Sequence, residues 1–292
     1  MTTLTLENVL RRDRWVVVAA LAVIVMLSWI YILSLVLQMH GPAASTMNMP
    51  DMKIPDMSMT GMPGMDVSGM DMSGVAMAGM DMLATPHLAD QIVLFLMWVA
   101  MMIGMMIPAA APMILLYARV ARKAAAHGKP FAPTGWFAAG YLLVWIAFSL
   151  VATLLQSWLQ RHAFLSPDMA ISNRLFAGFL LIAAGLFQWG SLKDACLTQC
   201  RMPVQFIQQH GGFSRDIPGS LKLGIYHGAY CVGCCWALMA LLFVGGVMNM
   251  LWIAGLTILV LLEKIAPFGR NLAKAIGVIL MLCGVAVLAT RL

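Results

Sequence analysis

Residues 88–117 read LADQIVLFLMWVAMMIGMMIPAAAPMILLY, an apolar run in which Asp90 is the only charged side chain. About 20 apolar residues are enough for a helix to cross the hydrocarbon core of a bilayer, so this run predicts a transmembrane helix. Seven apolar runs of this kind, including this one, occupy residues 15–39, 88–117, 135–159, 171–192, 223–244, 246–262 and 272–289. With 62% hydrophobic and 10% charged residues, the 292-residue chain is too apolar for a soluble domain. We predict an all-α fold, a polytopic membrane helix bundle of about seven transmembrane helices.

The basic residues predict the orientation of this bundle. If the N-terminus is cytoplasmic, every one of the 18 Lys and Arg residues falls in a cytoplasmic segment except Lys53, Arg161, Arg174 and Arg291. Cytoplasmic loops of membrane proteins carry such an excess of Lys and Arg. We therefore expect a protein of the bacterial inner (plasma) membrane, in contact with the lipid bilayer. The net charge of +6 then needs no nucleic-acid partner.

A methionine-rich segment follows the first predicted helix. Thirteen of the 27 methionines lie between Met39 and Met82, and residues 47–82 read MNMPDMKIPDMSMTGMPGMDVSGMDMSGVAMAGMDM. A thioether is a soft, uncharged ligand that favours Cu(I), and neighbouring aspartates raise the local cation concentration. The candidate ligands here are Met62, Met65, Met70, Met72, Met80 and Met82. We expect a periplasmic loop that is disordered without metal and collects copper; the alternative is a linker enriched in Met by chance.

The chain divides into three parts on this basis. Residues 1–39 form an N-terminal membrane anchor helix, and residues 40–86 form the Met-rich extracytoplasmic loop. Residues 87–292 form a six-helix metal-binding membrane core with short connections, apart from a longer cytoplasmic loop at residues 193–222.

Methionines continue into the second predicted helix. At 3.6 residues per turn, Met97, Met101 and Met105 form one stripe of candidate copper ligands. A second stripe comprises Met102, Met106 and Met113. Met is also a common packing residue in cores, so packing is an equal alternative for either stripe. Pro108 and Pro112 favour a kink in this helix.

Five of the six cysteines are predicted to lie near one another on the cytoplasmic side. Residues 227–236 read HGAYCVGCCW, and helical geometry places His227, Cys231 and Cys234 on one face with Cys235 at its margin. We place these cysteines in the first turns of the fifth helix. Cys196 and Cys200, in the loop before it, are predicted to close the site. Five thiols with one imidazole favour metal or redox chemistry over simple packing, and the isolated Cys283 is assigned to the core.

Two other features of the sequence restrict the classes of function that it can have. Glu263 and Lys264 end an apolar run, and we interpret them as an interfacial pair whose lysine reaches water, in preference to a carboxylate that relays a cation. The sequence has neither a Walker A motif nor the DKTG of aspartyl-phosphate pumps, which disfavours an ATP-driven pump.

From Leu88 to Leu292 the chain resembles a family of predicted metal-binding integral membrane proteins, sometimes labelled copper chaperones. The similarity is carried by MWVAMMIGMMIPAAAPM, by CLTQC followed by Pro203, by GAYCVGCCWALM and by GVMNMLWIAGLTILVLLEK, in that order. The resemblance implies metal binding at these positions and brings no established activity. The Met-rich loop and first helix lie outside it.

The leading hypothesis is a protein that handles Cu(I), as a copper chaperone or transporter and not as an enzyme. The outer Met-rich loop captures copper and the inner Cys/His site receives it, with a soluble or membrane copper acceptor protein as a further partner. One alternative is a membrane thiol-disulfide oxidoreductase, because Cys231 and Cys234 form a C-x-x-C pair. A non-catalytic assembly factor for a copper enzyme is another.

Overall fold

A computed structural model describes residues 2–40, 88–128, 132–162, 164, 170–171, 173–213 and 216–290. This part of the chain is built from helices, which confirms the predicted all-α class. They are α1 (Thr2–His40), α2 (Leu88–Ala126), α3 (Thr134–Arg161), α4 (Arg174–Gln188), α5 (Ser191–Arg201), α6 (Pro203–Gln209), α7 (Ile217–Ala240), α8 (Leu242–Gly245), α9 (Met250–Ile265) and α10 (Gly269–Ala289). The predicted Met-rich loop lies outside the described residues.

Five of the described helices are long and apolar enough to cross a membrane: α1, α2, α3, α7 and α10. Helices α4 and α5 meet at a bend of 61° and add a sixth span if the pair crosses as one. The run predicted at residues 246–262 corresponds to α9, which has 16 residues, fewer than most spanning helices contain. The structure thus shows five or six candidate spans, and the seventh stays a prediction.

Helices α3 and α7 pack with their backbones in contact. A β-carbon on Gly140 of α3 would collide with the backbone oxygen of Leu221, and one on Gly224 of α7 would collide with that of Phe137. Small residues allow membrane helices to approach this closely. The contact fixes α7, which carries three of the cysteines, against one face of α3.

The first helix lies along the second. Ile32 and Ser28 of α1 are buried, and a β-carbon on Gly104 of α2 would lie 3.3 Å from the β-carbon of Ser28. Large apolar side chains elsewhere face outward, including Leu37, Leu88 and Leu251. Such outward-facing apolar residues are typical of helices that contact lipid.

Two segments differ from the sequence-based expectations. Residues 193–222 were predicted to be a loop, but most of them belong to α5, α6 and the start of α7. Helix α7 begins at Ile217, because the Asp216 side chain accepts a hydrogen bond from the Gly219 amide at 3.1 Å and Pro218 occupies the first turn. The helix therefore starts six residues before the apolar run at 223–244. Its first residues are not part of an apolar run, so hydropathy alone does not assign them to the helix.

Candidate metal centre

Helix α7 provides the main wall of the candidate site. His227, Cys231, Cys234 and Cys235 all lie on it, and all four side chains are buried. Cys231 is 14 residues from the start of α7, or about 20 Å at 1.5 Å per residue. The prediction that these cysteines lie in the first turns of their helix is therefore wrong, because the helix begins earlier than hydropathy indicated.

Helix α5 brings two more thiols to this wall. The Cys200 thiol lies close enough to the thiols of Cys231 and Cys234 to interact with both, and the Cys235 thiol interacts with the same pair. We call Cys200, Cys231, Cys234 and Cys235 the four-thiol cluster. Its members come from two helices, α5 and α7, which are separated in the chain by the short α6.

Cys196 lies beside this cluster, one turn before Cys200 on α5. Its sulfur would be 2.8 Å from a β-carbon placed on Gly233. The missing side chain at Gly233 therefore makes room for the Cys196 thiol between α5 and α7.

A buried lysine joins the four-thiol cluster from α9. Lys264 Nζ donates a hydrogen bond of 2.8 Å to Cys231 Sγ, and the side chain is 8% exposed. The interpretation of Glu263 and Lys264 as an interfacial pair is therefore wrong, because both side chains find polar partners inside the bundle. An ammonium in this position compensates negative charge on neighbouring thiolates.

Glu263, the neighbour of Lys264, has its own partners in the core. Its carboxylate accepts hydrogen bonds from Lys193 Nζ at 2.7 Å and from Gln188 Nε2 at 3.1 Å. Lys193 and Glu263 are 1% and 2% exposed. The charge pattern of the sequence predicts that Lys193 and Lys264 lie in cytoplasmic segments, but both side chains are buried. Lys193 joins α5 to α9 through Glu263, and Lys264 joins α9 to α7 through Cys231.

Tyr141 connects the cluster to α2 and α3. Its hydroxyl donates to the backbone oxygen of Met106 at 3.0 Å and lies 3.1 Å from Cys231 Sγ. A phenol has a single proton to donate. While that proton is given to Met106, Tyr141 accepts from a Cys231 thiol, and it can turn to donate once the sulfur has lost its proton.

His227 contributes a buried polar atom to the site. The side chain is 3% exposed, and its Nδ1 has no hydrogen bond from any described residue. The rings of Phe206, Tyr141 and Phe137 surround it, with centroids 5.3, 5.7 and 6.0 Å away. A buried imidazole nitrogen without a partner is uncommon and is the type of atom that binds a soft or borderline metal.

These side chains are close together without forming a ready-made metal site. Among the described residues, no group of three or more His, Cys, Asp or Glu side chains is arranged to hold a metal ion. The Cys234 and Cys235 thiols instead donate to the backbone oxygen of Cys231, at 3.1 and 2.9 Å. Metal binding by these residues requires the two thiols to leave that oxygen.

The other predicted ligands are less closely associated with the cluster. Met97, Met101 and Met105 are buried in α2, and the residues of the second stripe, Met102, Met106 and Met113, are buried as well. Burial therefore does not distinguish the two stripes.

The predicted kink in α2 has no break at its prolines, since the helix continues through Pro108 and Pro112. Met62, Met65, Met70, Met72, Met80 and Met82 lie outside the described residues. Cys283, which was assigned to the core, is exposed on α10.

Sequence reasoning missed Tyr141, Lys193 and Lys264 as members of the site. Lys264 carried a signal, because an ionisable residue next to an apolar run indicates function by default. Tyr141 and Lys193 carried none, since their partners are 90 and 70 residues away in the chain.

One comparison with known proteins finds a match. The profile of a family described as copper chaperone matches residues 95–287, well over half of the chain. The chain belongs to the copper chaperone family. The family match extends from α2 into α10, so it includes the four-thiol cluster, Tyr141 and Lys264, and leaves out α1 and the Met-rich loop. The predicted resemblance is thereby confirmed. No curated protein and no solved structure matches the chain.

Proposed function

We propose that this protein is a membrane copper chaperone that holds Cu(I) at the four-thiol cluster with His227. The Met-rich loop collects the ion outside, and Met97, Met101 and Met105 of α2 pass it inward. Ligand strength increases along this route, because thiolates bind Cu(I) more tightly than thioethers do. Copper therefore moves from the loop to the cluster until an acceptor protein removes it.

The observation that carries this proposal is the set of soft donors gathered in one buried place. Cys200 and Cys235 each interact with Cys231 and Cys234, and among the described residues His227 Nδ1 has no hydrogen-bond partner. Copper(I) needs only two or three such donors, and thiolate with imidazole is a suitable set. The family description independently supports copper as the metal and a role without catalysis.

Lys264 supports the proposal through its charge. Two thiolates and one Cu(I) ion carry a net charge of −1, which is costly to bury in a membrane protein. The Lys264 ammonium, 2.8 Å from Cys231 Sγ, brings that total to zero. The charge of the site is therefore suited to a monovalent ion.

Burial disfavours the thiol oxidoreductase alternative. Cys231 and Cys234 are each 1% exposed, and disulfide exchange requires a sulfur that the partner's thiol can reach. A copper ion is small enough to enter where another protein is not.

The test is the copper content of the purified full-length protein under reducing conditions, compared with a variant that lacks residues 47–82. We expect both to retain Cu(I), with less in the deletion variant because the thioethers of the loop are gone. Cys231→Ser in the deletion variant should remove the remaining copper, since a hydroxyl is a poor ligand for Cu(I). Cys283→Ser, which alters an exposed thiol on α10, is the matched control.

Two outcomes of this experiment contradict the proposal. Absence of copper from the full-length protein would refute copper handling altogether. Unchanged copper in Cys231→Ser, together with mixed disulfides on a non-reducing gel of membranes prepared without reductant, would favour the redox alternative.

A further inference from the structure

A cavity of about 1000 Å³ opens beside the four-thiol cluster. Its walls come from α5, from the chain just after α6 and from α7 together with its capping residue, and they include Cys196, His210, Asp216, Lys222, Tyr226, Ala229 and Tyr230. Sites for small molecules occupy clefts of about 300–1000 Å³. The cavity is therefore large enough for a metal complex with organic ligands, well beyond the needs of a bare ion.

Cys196 connects this cavity to the cluster. It is the one cysteine among the residues that line the cavity, and its sulfur occupies the space left by Gly233. Gly233 directly precedes Cys234 of the four-thiol cluster, and Cys200 lies one turn further along α5. The Cys196 thiol is thus next to the cavity on one side and to the cluster on the other.

The walls of the cavity carry one positive and one negative side chain, Lys222 and Asp216, and the Asp216 carboxylate already accepts a hydrogen bond from the Gly219 amide. Lys222 Nζ lies over the Tyr226 ring, 5.7 Å from its centroid, and provides a positive charge at the exposed start of α7. The His210 ring lies 5.2 Å from that of Tyr226 and 5.7 Å from that of Tyr230. A carboxylate can pair with Lys222 while the aliphatic part of the ligand contacts the rings.

We propose that this cavity exchanges copper with the cytoplasm as a Cu(I) complex of small carboxylated thiols, and that Cys196 is the protein ligand that passes copper between this complex and the four-thiol cluster. The inference rests on the proposed function, because it supplies the route by which the cluster is loaded or emptied. By the predicted orientation the cavity faces the cytoplasm, where small thiols are abundant and remain reduced.

The transfer is a ligand exchange without redox change. The Cys196 sulfur attacks the copper of a bis-thiolate complex and forms a new Cu–S bond, and one Cu–S bond to a small thiolate breaks. The proton released by Cys196 goes to the departing thiolate, which leaves as a thiol. Copper stays Cu(I), and a second exchange of the same kind transfers it to the four-thiol cluster.

The experiment measures how fast the purified full-length protein takes copper from the Cu(I) complex of glutathione, followed by copper-thiolate absorption. We expect Cys196→Ala to slow loading about ten- to a hundredfold and to leave the copper held at equilibrium unchanged, because the four-thiol cluster is intact. Ala229→Trp should slow loading as well, since the indole fills the cavity without altering a thiol. Cys283→Ala and Ala286→Trp, which change exposed positions on α10, are the matched controls.

Loading at the wild-type rate in either Cys196→Ala or Ala229→Trp would overturn this proposal. That result is distinct from failure of the proposed function, in which the wild-type protein itself would hold no copper. Because Ala229→Trp keeps every thiol and lies at an exposed position, it also separates a blocked cavity from a damaged core.

Discussion

The ammonium of Lys264 hydrogen-bonds to the sulfur of Cys231 over 2.8 Å, inside the helix bundle. The two residues lie 33 positions apart, on α9 and α7. The positive charge of Lys264 thus lies next to one thiol of the four-thiol cluster. The total charge of a metal complex bound there depends on this residue.

Replacing Lys264 with Met should weaken Cu(I) binding by about ten- to a hundredfold, because the buried complex would then carry a net negative charge. Zn(II) binding should weaken less or improve, since a divalent ion neutralises two thiolates without the lysine. Competition with a chromogenic Cu(I) chelator and with a Zn(II) indicator measures the two affinities. Lys264→Arg keeps the charge and should retain most of the preference for copper. An unchanged ratio of the two affinities in Lys264→Met would show that the ammonium does not influence metal choice.

Replacing Tyr141 with Phe should lower the affinity for Cu(I) by about tenfold without changing the number of copper ions bound. The phenol hydroxyl lies 3.1 Å from Cys231 Sγ, and a hydrogen bond from it stabilises sulfur that has lost its proton. Chelator competition under reducing conditions gives the affinity. Tyr31→Phe, at an exposed position of α1, is the control. Wild-type affinity in Tyr141→Phe would mean that the hydroxyl serves only its contact with Met106.

Breaking the ion pair between Lys193 and Glu263 should destabilise the fold. Lys193→Met leaves a carboxylate that is 2% exposed without its cation, at a cost of about 3–5 kcal/mol. The double variant Lys193→Met/Glu263→Gln removes both charges and should recover most of that loss. Thermal unfolding of the protein in detergent, followed by circular dichroism, measures the change. Equal stability of Lys193→Met and wild type would contradict the role assigned to this pair.

The predicted orientation is tested by labelling. In a chain whose native cysteines are replaced, Ser58→Cys or Ser73→Cys in the Met-rich loop should react with a membrane-impermeant thiol reagent in intact cells, because positively charged segments stay in the cytoplasm. Gln208→Cys, at an exposed position of α6, should react only after the cells are lysed. Protection of both loop positions in intact cells would reverse the orientation and remove the basis for copper collection outside.

Hydropathy predicted the helical class and most of the helices, because long apolar runs such as residues 88–117 have few alternatives in a membrane. It failed where polar residues take part in helices. The segment SLKDACLTQCR forms α5, although its charged and polar residues favoured a loop, since Lys193 and Cys196 face inward to specific partners. The grouping of His227 with Cys231 and Cys234 followed from helical periodicity alone. The position of Lys264 beside Cys231 could not be predicted in this way. It depends on how α9 packs against α7, and no local pattern in the sequence indicates that contact.

The close backbone contacts at Gly140, against Leu221, and at Gly224, against Phe137, make the packing of α3 on α7 harder to redesign than the rest of the site. At these two positions no side chain can be added to adjust the spacing, since a single methyl group collides with a carbonyl oxygen. Cys200 and Lys264 instead approach from α5 and α9, helices of 11 and 16 residues. A protein engineer seeking a binder for silver or cadmium can therefore keep α3 and α7 as a constant scaffold and vary donors on α5 and α9.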